Sequence, residues 1–201
     1  MIRALITDFG GVLVRTFDDT RRRNLETCLG LPRNTIAEFV FGGELSIRAQ
    51  RGEISHDDFW QQIGLELHLD RRMTVEQFRD EFFGGDAFDH ELMAFIRSVR
   101  PAIKTGLISN AWTNARELFT RTFPIIHDFD AVVISAEEGV MKPDPRIYRI
   151  ALDRLGVRAG ESIFVDDVLA NIQGAAALGM HGVHFKSSER ARHEIQRLLR
   201  L

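Results

Sequence analysis

Short apolar runs alternate along this chain with longer segments in which apolar residues recur every three or four positions. The runs Arg3–Thr7, Ile103–Ile108, Ala131–Ile134 and Ser162–Val165 are predicted strands, and Gly182–Phe185 is a fifth candidate. Between the later runs the spacing predicts helices over Trp112–Thr122, Pro145–Leu155 and Leu169–Leu178, then a charged amphipathic helix over Ser188–Leu201. The stops agree. Gly156 and Gly179 each follow a leucine where a left-handed residue closes a helix. Asp144-Pro145 reads as an N-cap followed by proline in the first turn. Strands alternating with helices of this length imply βαβ units. The predicted fold is α/β, a doubly wound, mostly parallel Rossmann-like sheet.

The first strand breaks the rhythm. About 95 residues separate Thr7 from Ile103, far more than one crossover needs. Glu91–Val99 supplies a crossover helix, which leaves a span with no convincing strand. Ser55 with Asp58, and Thr74 with Gln77, look like capping boxes ahead of aromatic-rich helical patterns. Gly42-Gly43 and Gly84-Gly85 mark turns or hinges. We therefore expect residues 1–15 and 86–201 to form the core, and 16–85 a small helical cap inserted after the first strand. Phe39, Phe41, Phe59, Trp60, Phe78, Phe82 and Phe83 should supply most of the cap's own apolar centre, with one or two left to face the cleft. Trp112 is placed to wall a pocket. Arg21-Arg22-Arg23 reads as a solvated helix face.

Composition narrows the function classes. The chain has 201 residues, 44% apolar and 27% charged, with net charge −3. That excludes a disordered or fibrous protein, and no basic excess points to nucleic acid or a membrane surface. Cys28 is the only cysteine, so neither an intrachain disulfide nor a thiolate cluster can form, and a reducing cytoplasm is expected. The opening segment, interrupted by Arg3 and Asp8, lacks signal-peptide anatomy. Oligomeric state is left open. Lys104, Lys142 and Lys186 are the only lysines among 26 basic residues, so a lysine at a special place stands out.

In open parallel sheets ligands bind beyond the carboxyl ends of the strands. Asp8-Phe9-Gly10-Gly11 follows the first strand, Ser109-Asn110 the second, Met141-Lys142-Pro143 the third after a few residues, and Asp166-Asp167 the fourth. Each piece alone has an ordinary reading as a turn, a cap or a solvated side chain. Together they bring two carboxylate sites, a hydroxyl and a rare lysine to one edge. That set suits magnesium-assisted phosphoryl transfer, in which carboxylates hold a hard cation and one of them attacks phosphorus.

Four ordered stretches carry a family resemblance over nearly the whole chain: Leu5–Val14 (LITDFGGVLV), Leu107–Ala111 (LISNA), Met141–Tyr148 (MKPDPRIY) and Ile163–Ala175 (IFVDDVLANIQGA). The sequence resembles the haloacid dehalogenase superfamily, in the branch with a helical cap after the first strand. Arg51-Gly52-Glu53-Ile54-Ser55 is similar to cap segments of sugar-phosphate phosphatases, including those of the glucose-1-phosphate type, and of the phosphatase domain joined to epoxide hydrolases. The resemblance implies that Asp8 is a nucleophile forming an aspartyl-phosphate. It implies that Ser109 and the Asn110 backbone bind the phosphoryl group and that Lys142 neutralises nucleophile and phosphate. It also implies Mg2+ held by Asp8, the Gly10 carbonyl and Asp167, with Asp166 acting through water and Asn171 giving indirect support. A small phosphorylated metabolite, a sugar phosphate above all, is the implied substrate, beneath a cap that opens and closes.

One position departs from the pattern. Phosphatases of this family mostly carry an aspartate two residues after the nucleophile as general acid, and this chain has Gly10. Positioned acid–base catalysis is worth about 10²–10⁴-fold. The loss weighs most on basic leaving groups and least on acyl or anomeric phosphates. Glu44, His56, Asp57 and His68 are cap candidates for a substitute acid. Gly10 also keeps open a catalytically weak regulatory or binding protein on the same scaffold. A dehalogenase reading meets the Asp166-Asp167 pair and Gly10, both against it, and a receiver domain would need a different motif order.

Overall fold

In the computed structural model, which describes residues 1–69, 72–100 and 102–199, the first strand, β1 (Ala4–Thr7), lies at the middle of the sheet. Its alternation sets two layers, because Leu5 packs to one side and Ala4 and Ile6 to the other, all fully buried. The chain then enters a separate two-stranded antiparallel ribbon, β2 (Val14–Thr16) with β3 (Asp86–Phe88). The main sheet continues with β4 (Lys104–Ser109), β5 (Ala131–Ile134), β6 (Ser162–Asp166) and β7 (His181–His184). Its order is β5-β4-β1-β6-β7, and every pairing is parallel. This is the expected doubly wound α/β arrangement. β4 and β7 are each displaced by a residue from the apolar runs that predicted them.

The ribbon is the feature that apolar patterning missed, since three half-exposed residues per strand carry little signal. It brackets five helices: α1 (Thr20–Leu29), α2 (Thr35–Phe41), α3 (Glu44–Gln50), α4 (His56–Glu66) and α5 (Val75–Phe83). Ser55 caps α4 by accepting from the Asp58 N–H, and Thr74 with Gln77 makes a reciprocal capping box on α5. Leu25, Ile36, Val40, Phe59, Trp60, Ile63, Phe78 and Phe82 form this unit's own core. Phe83 packs against it, while two of the expected aromatics lie outside it: Phe39, partly buried, and Phe41, 46% exposed. The basic triplet is also only partly a solvated face. Arg22 is half-buried, bonded to Asp86 at 2.9 Å and lying over the Phe82 ring, while Arg21 and Arg23 make exposed pairs.

Back in the core, α6 (His90–Val99) and α11 (Ser188–Leu199) cover the Leu5 side of the sheet. The predicted end of α11 at Leu201 lies outside the described residues. Pro145–Leu155 (α9) and Leu169–Ala177 (α10) cover the opposite side; the short α7 (Ala115–Glu117) and α8 (Ser135–Glu138) follow β4 and β5. Gly156 and Gly179 are left-handed, with φ 63 and 92, and Asp144 caps α9 through the Arg146 N–H. The single helix expected over Trp112–Thr122 does not form. α7 starts only at Ala115 and runs into a π-helical turn, Leu118–Thr122, because Trp112 is drawn into the cap's core. Among the described residues no helix is long and apolar enough to cross a membrane.

Gly85 closes the linker between cap and ribbon, its carbonyl accepting from the Phe17 and Asp18 N–H groups. A methyl group there would overlap the Asp18 carbonyl, a backbone atom with nowhere to go. Gly85→Ala should therefore lower the unfolding free energy by about 1–3 kcal/mol in urea titrations. Gly10→Ala, whose new carbon meets nothing within 4 Å, should change it by less than about 0.5 kcal/mol.

Candidate active site

β1 hands the chain on to β4 and β5 on one side, and β6 brings it back on the other, so a crevice opens where the loops after β1 and β6 part. Asp8 follows β1 directly, and Asp166 ends β6 with Asp167 beside it. Ser109 ends β4, 3% exposed. Lys142 arrives on the loop before α9, its side chain wholly buried. Its ammonium lies 2.8 Å from Asp8 Oδ1 and 2.7 Å from Asp166 Oδ2, and donates to the Ile108 carbonyl at 3.1 Å. Three donors meet three acceptors, so the buried cation is fully satisfied.

Electrostatics follow from this burial. Burial works against the charge on Lys142, but the two carboxylates outweigh it and hold its pKa above the usual lysine value. Asp8 is pushed up to about 7, chiefly by burial; the Lys142 ammonium pulls it down and Asp166 pushes it up. Burial, then Asp166, raises Asp167 as well. Asp8 Oδ1 also accepts the Phe9 N–H at 2.7 Å, which leaves Oδ2 without a hydrogen bond among the described residues. One oxygen is held and the other is open for chemistry.

Asp8, Asp166 and Asp167 each place one carboxylate oxygen within 4.8 Å of the others. An all-oxygen, anionic donor set of this kind fits a hard divalent cation such as Mg2+. Gly11, at φ +76, lies so close to the Asp167 carboxylate that any side chain would collide with it. Asp166 is the most occupied of the three. It accepts from Lys142, from the Val168 N–H at 2.8 Å, and from Asn171 Nδ2 at 3.0 and 3.1 Å. Its four lone-pair positions are nearly filled, so its geometry serves to hold Lys142 and the loop. Asn171 is thereby a bracket for Asp166.

Sequence reasoning gave Asn110 a backbone role and missed its side chain, which accepts the Lys142 N–H at 2.8 Å and donates to the Lys142 carbonyl at 3.0 Å. It also missed Tyr148, which donates to the Asn171 carbonyl, and His184, whose Nε2 lies 2.9 Å from the Asp167 carbonyl. Nothing in residue type or spacing marks these backbone contacts. Of the candidates for a substitute acid, Glu44, Asp57 and His68 are exposed. His56 is buried, but its Nε2 accepts from Trp60 Nε1 at 3.0 Å and its Nδ1 lies 3.0 Å from Asp57. Burial, then the Arg79 charge, lowers the pKa of His56, which keeps the ring neutral and engaged. Trp112, expected at a pocket wall, packs against the cap's core.

Comparison with known proteins agrees with this geometry. A family model described as haloacid dehalogenase-like hydrolase matches residues 2–179. The chain is similar to mouse acyl-CoA dehydrogenase family member 10, 31% identical over 98% of this chain but spanning only 19% of that protein. It is also similar to a sesquiterpene phosphatase of Aspergillus oryzae, 28% identical over 98% of this chain and 96% of the relative. A D-ribitol-5-phosphate phosphatase of Bacteroides thetaiotaomicron is 27% identical over 89% of each. Among solved structures, a HAD-like family hydrolase from Porphyromonas gingivalis superposes with a TM-score of 0.81 at 26% identity, covering 100% of this chain and 99% of that one. The family match over most of the chain, on the sheet and strand ends described above, places this protein among the haloacid dehalogenase-like hydrolases.

Proposed function

We propose that this hydrolase is a magnesium-dependent phosphatase acting on a small phosphorylated metabolite, with a sugar phosphate as the favoured class. The observation that carries the reading is the buried Asp8–Lys142–Asp166 constellation, with Asp8 Oδ2 left open and Asp167 alongside. Asp8, the Gly10 carbonyl and Asp167 would hold Mg2+, with Asp166 behind them. The ion supplies charge neutralisation for the phosphoryl oxygens. Asp8 Oδ2 attacks phosphorus in line, the bond to the leaving oxygen breaks, and an aspartyl-phosphate forms. Water then attacks that phosphorus, the bond to Asp8 breaks, and inorganic phosphate departs. Ser109 and Lys142 face the charge that develops on the phosphoryl oxygens.

Gly10 shapes the choice of substrate. It offers no acid for the leaving oxygen, and the engaged ring of His56 does not replace one. Substrates whose leaving groups need little protonation, acyl and anomeric sugar phosphates, are therefore favoured over plain alkyl phosphates. The ribitol-phosphate relative supports a polyol skeleton, and the sesquiterpene relative shows that apolar skeletons occur among similar proteins.

Phosphate release measured over sugar, acyl, alkyl and aryl phosphates tests this directly. Release should require magnesium and vanish in Asp8→Asn; release that persists in that variant would sink the nucleophile assignment. Gly10→Asp is the informative change, because a Cβ added there meets nothing within 4 Å. It should raise alkyl-phosphate turnover by about 10²–10⁴-fold and aryl-phosphate turnover far less. A uniform change across leaving groups would show that Gly10 does not mark a missing acid. Magnesium affinity should also depend on pH. Asp8 must lose its proton to bind the cation, and its metal-free pKa is raised to about 7. Affinity should thus hold above that pH and weaken by about tenfold per unit below it, read by calorimetry. A flat profile down to pH 5 would contradict a protonated metal-free Asp8.

A further inference from the structure

We propose that Trp112 is a positioning residue that ties the seating of the cap to the placement of Lys142; the consequence for catalysis rests on the phosphatase reading above. Four consecutive residues after β4 each grip a different part of the molecule. Asn110 holds the Lys142 backbone by two hydrogen bonds, at 2.8 and 3.0 Å. Ala111 donates its N–H to Ser135 Oγ at 2.9 Å, at the start of α8. Thr113 Oγ1 accepts the His56 N–H at 3.0 Å, at the start of α4 in the cap. Between them Trp112 leaves the core altogether. Its ring stacks on Phe59 at 5.0 Å and on Phe41 at 6.2 Å, and meets Trp60 edge-on at 5.6 Å.

This arrangement has no slack. A residue spans at most about 3.5 Å, so any movement of α4 or of the aromatic cluster is felt two residues away at Asn110. Asn110 in turn fixes the backbone that carries the buried ammonium. The seat is also poised between two states. Ring packing favours Trp112 in place, yet its Nε1–H is buried there with no hydrogen-bond partner among the described residues. Lifting the cap would let water satisfy that group. A seated cap therefore presents Lys142 correctly, and a lifted cap loosens it.

The test is amide hydrogen exchange read by NMR on the Lys142 and Ala111 N–H groups, both outside the cap. In Trp112→Ala both should exchange about tenfold faster. Thr113→Val, which removes only the hydroxyl that accepts from His56, should give a smaller change in the same direction. Leu25→Val, in the cap's core on α1 and outside the aromatic cluster that Trp112 joins, should leave both amides unchanged. If Trp112→Ala does not fold, Trp112→Phe carries the comparison, because the smaller ring weakens the seat without removing it. With para-nitrophenyl phosphate and magnesium, Trp112→Ala should lose kcat with little change in KM. Faster exchange at the His56 amide while Lys142 and Ala111 stay at the wild-type rate would overturn the proposal, since Trp112 would then be cap packing alone. A wild-type protein that releases no phosphate from any ester would sink the phosphatase reading and leave the exchange result to decide the coupling.

Discussion

Lys142 carries a full positive charge on a side chain that solvent does not reach. Moving an ammonium from water into a low-dielectric interior costs of order 20 kcal/mol in the idealised limit, and several kcal/mol after relaxation. The chain offsets that cost with three acceptors: the Ile108 carbonyl on β4, the Asp8 carboxylate after β1 and the Asp166 carboxylate on β6. Those strands are consecutive in the sheet. Adjacent strands lie about 4.8 Å apart, so three ends come within reach of one ammonium only when their strands are neighbours. Register and candidate site are thus one constraint. A slip of either neighbour against β1 would remove an acceptor from a buried charge. Loss of the lysine would leave two buried carboxylates facing each other.

The same cluster also sets look-alike groups apart. Three aspartates crowd the crevice, and the structure gives each a different surrounding. Asp8 has one oxygen held and one open. Asp166 has both oxygens filled by Lys142, Val168 and Asn171. Asp167 rests against a glycine that has no side chain to push it away. Adjacent glycines are likewise divided. Gly11 is required by its left-handed backbone and by the Asp167 carboxylate, whereas a Cβ at Gly10 would meet nothing within 4 Å.

Much of this was legible in the sequence because the signals were local. Apolar runs marked the five strands of the main sheet to within a residue, and caps such as Ser55, Thr74 and Asp144 marked helix starts. Asp8, Ser109, Lys142 and Asp166 could be aligned because each lies at or beyond the carboxyl end of a strand, and a parallel sheet brings such positions to one edge. What stayed hidden was long-range or carried by the backbone. The short ribbon of β2 and β3 pairs residues some 70 positions apart, with no apolar alternation to announce it. Arg22 lies in a run of three arginines, yet Asp86 and the Phe82 ring, both distant in sequence, bury it.

Trp112 shows most clearly how tertiary demand overrides local pattern. Its segment has helical spacing, and in isolation a helix from Trp112 onward is the economical reading. The cap, however, is a small unit whose core has ten buried apolar residues among those described, which is thin. A large ring supplied from outside adds apolar area that the cap's own length cannot provide. Burying it breaks the helix before Ala115 and leaves an N–H without a partner among the described residues. That cost, about 1–3 kcal/mol for an unsatisfied group, is sustainable only if the ring does more for packing than the lost turn and the lost bond take away. The cap and the core are therefore not independent folding units joined by hinges. Part of the cap's interior belongs to the loop that carries Asn110, and through it to the lysine on which the three strand ends converge.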